Sequence, residues 1–161
     1  MSTAKKLTSE FIGTFLLVFA VGCNTVSTAS GTWAALSIAS TLMVAIYALG
    51  SVSGAHFNPA VTVAIALHTS VFKDVLLYVV AQLSGALVAG VTYSSLTGLA
   101  FPLAPGEKYS WADAAFAEFI ATFVLCFVVL NVAVIKPQKN VFGLAIGFVI
   151  VAGGYAAGGI S

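Results

Sequence analysis

The 161-residue chain contains no arginine, and its only strong cations are six lysines spread along the sequence, for a net charge of +1. Phosphate recognition needs clustered cations, so a nucleic-acid partner is excluded. Charged residues make up 7% of the chain and hydrophobic ones 60%, with a mean hydropathy of +1.09. Soluble domains carry roughly a quarter charged residues, so this is the composition of a protein that lives in a bilayer. Cysteine is scarce too: Cys23 and Cys126 lie in apolar runs without ligand-like neighbours and read as small buried hydrophobes. His56 and His68 stand apart from any cysteine or carboxylate cluster, so neither a metal nor another cofactor is expected. The spans also offer no nucleophile with an adjacent base, which argues against an intramembrane enzyme.

What the chain has is hydrophobic length. Five segments, at about 8–28, 33–53, 74–100, 112–135 and 141–160, are each long enough to cross a membrane. The expected fold class is an all-α, polytopic membrane helix bundle forming one domain over 1–161. Spans in that order put Lys5, Lys6, Lys73, Lys136 and Lys139 on one side and Lys108 alone on the other, so the N-terminus is expected in the cytoplasm. Lys5-Lys6, the apolar block Phe11 to Gly22 and the small residues Ser27 to Ser30 imitate a secretory signal. The same block recurs later in the chain, which argues against cleavage.

That recurrence is the second positive feature. "EFIGTFLLVFAV" from Glu10 and "EFIATFVLCFVV" from Glu118 agree at eight of twelve positions with an offset of 118 − 10 = 108. Tyr47-Ala48 with Tyr155-Ala156, Gly50 with Gly158 and Ser53 with Ser161 keep the same offset. Two repeats follow, about 7–100 and about 112–161, the second partial. Three spans per repeat is an odd number, so the second copy enters the membrane inverted. The offset puts the partner of Asn58-Pro59-Ala60 at 166–168, past Ser161. The expectation is a piece of a longer protein that does not conduct by itself.

The third feature is a break. In "SGAHFNPAVTVAIALH" (Ser53 to His68) a proline interrupts apolar sequence, and the segment behind it is too short to span. Asparagine is a strong N-cap and proline is favoured at the first helical position, so Asn58-Pro59 marks the start of a short helix. Irregular backbone at membrane depth is tolerated where it lines water or is covered by protein. The carbonyls of Gly54, Ala55, His56 and Phe57 would then form a ladder of acceptors before Asn58, and the helix N-terminus would oppose cations.

"HFNPAVT", a glutamate on the first and fourth spans, and "YVVAQLSGA" (Tyr78 to Ala86) resemble the aquaporin, or major intrinsic protein, family. The resemblance runs over the whole chain and implies six tilted spans with two half-helices meeting at mid-bilayer, assembled as a homotetramer. It also implies passive flow of water or small neutral solutes without a cofactor. The family's spacing places the constriction at Ile38 and Gly154. Water channels of the family usually have an aromatic and a histidine there, so Ile38 and Gly154 imply a wider passage open to glycerol or urea.

Glu10 and Glu118 each either reach water from a helix end or hold backbone N–H groups of re-entrant loops. Gln82, the only glutamine within a span, shares a helical face with Tyr78, Gly85 and Ala86. It bonds either the loop carrying Asn58 or a neighbouring helix. His56 either lines the inner mouth or caps a carbonyl. The competing function is a secondary transporter, which also uses inverted repeats and broken helices.

Overall fold

The structure, a computed structural model, describes residues 1–26, 31–100, 103–137 and 140–161, with no side chain described for Thr32. Residues 27 and 28 of the first expected span, and Lys139 of the basic side, lie outside these. Among the described residues six α-helices follow in order: α1 Thr3–Val26, α2 Ala34–Ser53, α3 Pro59–Thr69, α4 Val75–Thr97, α5 Trp111–Val129 and α6 Phe142–Ala157. A single 3₁₀ turn, Gly31–Trp33, leads into α2.

Four of these helices are long and apolar enough to cross a membrane, α5 being counted with its extension to Ile135. At 1.5 Å per residue, α1 is about 36 Å long and α3 about 16 Å, so α3 reaches only about half-way through a 30 Å hydrocarbon layer. The fifth expected span, 141–160, is realised as a helix of 16 residues. It ends at Ala157, with Gly158 still helical in φ and ψ and donating to Gly154 O as the cap. The residues after it continue as a turn, Ile160 N donating to Ala157 O at 2.8 Å, and Gly106 N donates to Ile160 O at 3.1 Å. α4 ends at Thr97 because Gly98, with φ +66, adopts the left-handed capping conformation and donates to Ser94 O. α5 begins where Ser110 and Asp113 form a reciprocal capping box. Its C-terminal end widens into a π turn, Leu130–Ile135, with Lys136 N donating five residues back to Asn131 O.

α1 packs on both α2 and α4, α2 on α6, and α5 on α6, while α3 is set against α4 and α5. Close approach depends on small residues: a methyl on Gly85 would overlap the Phe11 carbonyl, and one on Gly13 would overlap the Phe57 ring. The buried centre joins Leu42, Ala45 and Ile46 of α2 to Phe57, Val61, Val129 and Ile146. The half-helix and its lead-in are thus built into the core. Outside, Leu76, Val80, Leu83, Leu87 and Val91 form an exposed stripe along α4, the pattern of a helix facing lipid.

Candidate functional site

Asn58 is extended (φ −152, ψ 129) and its Oδ1 accepts hydrogen bonds from Ala60 N at 2.7 Å and Val61 N at 3.3 Å. Pro59 occupies the first helical position, where a missing N–H costs nothing. Thr62 closes the first turn, its N–H and hydroxyl both donating to Asn58 O at 3.0 Å.

The lead-in is strained. Gly54, Ala55 and Phe57 have φ of +96, +53 and +50. Glycine tolerates this, but the two non-glycine residues cost roughly 1–2 kcal/mol each. Successive residues of opposite hand, here His56 followed by the left-handed Phe57, gather their N–H groups into a concave nest suited to an anion. The anion is Glu10, which is fully buried, at 0% exposure. Its Oε1 accepts from His56 N at 3.1 Å and Ser53 Oγ at 2.6 Å, and its Oε2 from Phe57 N at 2.7 Å and Gln82 Nε2 at 2.8 Å. Four donors and no acceptor make the shell of a carboxylate, which only accepts. Hydrogen bonds to charged groups contribute about 1.5–3 kcal/mol each, enough to offset the strain. A burial this complete at a charged side chain requires that compensation.

Further residues brace this shell. Ser53 Oγ accepts from Ala55 N at 3.1 Å and from Ser9 Oγ at 3.0 Å, and Tyr78 Oη donates to Ser53 O at 2.8 Å. Gln82, also at 0% exposure, donates from Nε2 to Thr62 Oγ1 at 2.9 Å as well as to Glu10. Its amide cannot be reversed without setting Oε1 against a carboxylate oxygen. His56 stacks obliquely on Tyr78, centroids 5.1 Å apart, with Nδ1 3.2 Å from Thr62 Oγ1. It therefore pairs with a side-chain hydroxyl rather than capping a carbonyl.

Other groups of the lead-in are left without partners. Among the described residues, the carbonyls of Gly54, Ala55, His56 and Phe57 accept no hydrogen bond, and neither Asn58 N–H nor Nδ2 donates one. Asn58 Nδ2 is also absent from the buried side-chain atoms that lack a partner, so it is accessible.

Ile38, Gly154 and Glu118 meet elsewhere, lining a cavity of about 930 Å³ with Val21, Thr25 and Trp111. Residues 54–60 are not part of that lining. Glu118 is exposed and, among the described residues, makes no hydrogen bond or ion pair. The two glutamates that match in sequence thus have opposite surroundings. Sequence reasoning missed Ser9, Ser53 and Thr62 as members of the network, since a serine or threonine in a span carries no periodic signal. Tyr78 had one, lying one turn before Gln82 on the same face.

The family model described as "Major intrinsic protein" matches residues 1–161. The chain belongs to the major intrinsic protein family. Members of this family are channels, not enzymes. Among its relatives, "Glycerol uptake facilitator protein-like 6" of Lactiplantibacillus plantarum is 38% identical over 80% of this chain and 63% of its own length. "Probable aquaporin NIP4-2" of Arabidopsis thaliana is 36% identical over 98% of this chain and 59% of its own. "Aquaporin AqpM" of Methanothermobacter thermautotrophicus is 32% identical, over 93% and 74%. The X-ray structure of the aquaglyceroporin from Plasmodium falciparum superposes with a TM-score of 0.82 at 27% identity, covering 99% of this chain and 74% of that one. The chain spans only 59–63% of the length of the first two of these family members.

Proposed function

We propose that this chain builds part of a passive transmembrane pathway for water and small neutral solutes, supplying its cytoplasmic half-helix and two residues of its outer constriction. The observation that carries the reading is the division of labour at Asn58. Oδ1 is consumed in capping α3, while Nδ2 and the four preceding carbonyls have no partner among the described residues. Such a row replaces the hydration of a neutral solute step by step, accepting its hydrogens along Gly54 to Phe57 and donating to it at Asn58. The positive end of the α3 dipole at the same point opposes cations. No ion-coupling relay is needed, because the buried carboxylate is already occupied by four donors.

The inverted repeat gains support from the α2–α6 contact. Gly147 packs on the backbone of Ala39, and 147 − 39 = 108 is the repeat offset itself, so this pair falls on the local two-fold axis. Gly143 on Tyr47 and Gly154 on Ala35 flank it on opposite sides. Residues 7–100 and 112–161 are accordingly two inverted copies, Glu118 in the second standing ready to hold a lead-in like that held by Glu10. Ile38 and Gly154 form the outer constriction, wide enough for glycerol because Gly154 adds no side chain to the cavity. The assembled form is a homotetramer with its N-terminus in the cytoplasm.

The test is stopped-flow light scattering on liposomes holding the chain alone, or joined to the part of the Lactiplantibacillus relative that it does not cover. The fused form is expected to speed water and glycerol flux without an ion gradient, and the chain alone to stay at the level of empty liposomes. Flux that requires an ion gradient would move the reading to a coupled transporter. A folded fusion that passes neither solute would overturn the pathway altogether.

A further inference from the structure

We propose that Thr62 is a positioning residue that fixes His56 as the tautomer with its hydrogen on Nδ1, leaving Nε2 as a bare hydrogen-bond acceptor beside the lead-in to Asn58. Its functional consequence rests on the passive-pathway reading; its geometry does not.

The inference comes from counting hydrogens at one oxygen. Thr62 Oγ1 has one hydrogen to give and two lone pairs to fill, and it has three polar neighbours. Asn58 O, at 3.0 Å, is only an acceptor and takes the hydrogen. Gln82 Nε2, at 2.9 Å, is only a donor and fills one lone pair, its orientation being fixed by Glu10 Oε2 at 2.8 Å. The other lone pair faces His56 Nδ1 at 3.2 Å, so Nδ1 must be the donor. In a neutral imidazole the partner of one nitrogen decides the state of the other, which makes Nε2 the acceptor.

The surroundings keep Nε2 available. It makes no hydrogen bond among the described residues and is not one of the buried side-chain atoms lacking a partner. It lies against Gly54, where an added Cβ would come within 3.2 Å of it. Tyr78, tied through its hydroxyl to Ser53 O, backs the ring. The one polar side chain of the lead-in therefore has the same sense as the four carbonyls around it. A solute must offer hydrogens along the whole lead-in before meeting the donor at Asn58. Small neutral polyols, amides and water meet that demand, and a solute with acceptors only does not.

Nitrogen-15 spectra of ring-labelled histidine in the bilayer-reconstituted chain test this directly. The chain has only two histidines, so His68→Asn assigns His56. The expected result is a His56 ring protonated on Nδ1 alone, retained in Thr62→Ser, with the Nε2–H form becoming the major one in Thr62→Val. A wild-type ring carrying hydrogen on Nε2, or on both nitrogens, overturns the proposal, and so does a Thr62→Val spectrum identical to wild type. If Thr62→Val does not fold, the wild-type spectrum and the serine variant decide. No flux is measured, so failure of the pathway reading and failure of this assignment are separate results.

Discussion

Replacing Glu10 with glutamine exchanges one accepting oxygen for a donating NH₂ in a shell made wholly of donors. The amide does least harm with its NH₂ at the Oε1 position, because the Ser53 hydroxyl can turn to donate to Ser9 Oγ, with Ser9 donating to Leu49 O, which frees a Ser53 lone pair to accept while the other oxygen keeps Phe57 N and Gln82. His56 N–H is then left buried without an acceptor, at a cost of about 1–3 kcal/mol. The three surviving bonds drop from charge-assisted to neutral strength, roughly 1 kcal/mol each. Part of this is returned because no charge is buried any longer. The net loss is expected at about 2–4 kcal/mol, felt first in the strained lead-in. Amide hydrogen exchange at His56 and Phe57 should therefore speed up by roughly 30- to 700-fold at 1.4 kcal/mol per decade. Glu118→Gln is the internal control, since Glu118 is exposed and makes no bond among the described residues. Its expected cost in this chain is within about 0.5 kcal/mol. Equal effects of the two substitutions, or unchanged exchange at His56 and Phe57 in Glu10→Gln, would refute the role given to this carboxylate.

Other expectations follow from single contacts. Asn58→Ala removes the cap on Ala60 N and Val61 N and should lower stability against denaturing detergent by about 1 kcal/mol, with Asn58→Gly costing a few tenths. Gly85→Ala drives a methyl into the Phe11 carbonyl and should cost about 1–3 kcal/mol in the same titration. Gly90→Ala, on the same helix with open space around it, should be neutral or stabilising by about 0.5–1 kcal/mol. In the fused, conducting form, Ile38→Phe should reduce glycerol flux more than water flux in light-scattering assays; equal reductions would remove Ile38 from the constriction.

Much of the architecture was legible because membrane helices announce themselves by length. Pro59 declared its boundary in the sequence, whereas the Gly98 cap and the Ser110–Asp113 capping box ended and began helices a residue or more from the limits 74–100 and 112–135 that hydropathy suggested. The last span was read too long, since its hydropathy persists into residues 158–160, which form a turn after α6 ends at Ala157. At the site, Asn58 and Pro59 declared the half-helix, and Glu10 and Gln82 stood out as polar groups that lipid does not tolerate unpaired. Ser53 and Thr62 did not stand out, because a hydroxyl in a span can satisfy itself on its own helix, as Thr92 does on Val88 O. Nor could sequence reveal that Ala55 and Phe57 adopt left-handed conformations, which the nest around Glu10 imposes on residues with no such preference. The repeat made Glu10 and Glu118 look equivalent, yet only Glu10 has its donors within the described residues.

The central claim is that Asn58 caps a half-helix with its amide nitrogen turned toward water at membrane depth. Magnetisation transfer from water to the Asn58 side-chain amide, measured by solid-state NMR on the chain in lipid bilayers, tests it most directly. Rapid transfer to Asn58 Nδ2, alongside none to the lipid-facing α4 residues Leu83 and Leu87, is the predicted result. An Asn58 amide as dry as those leucines would contradict it.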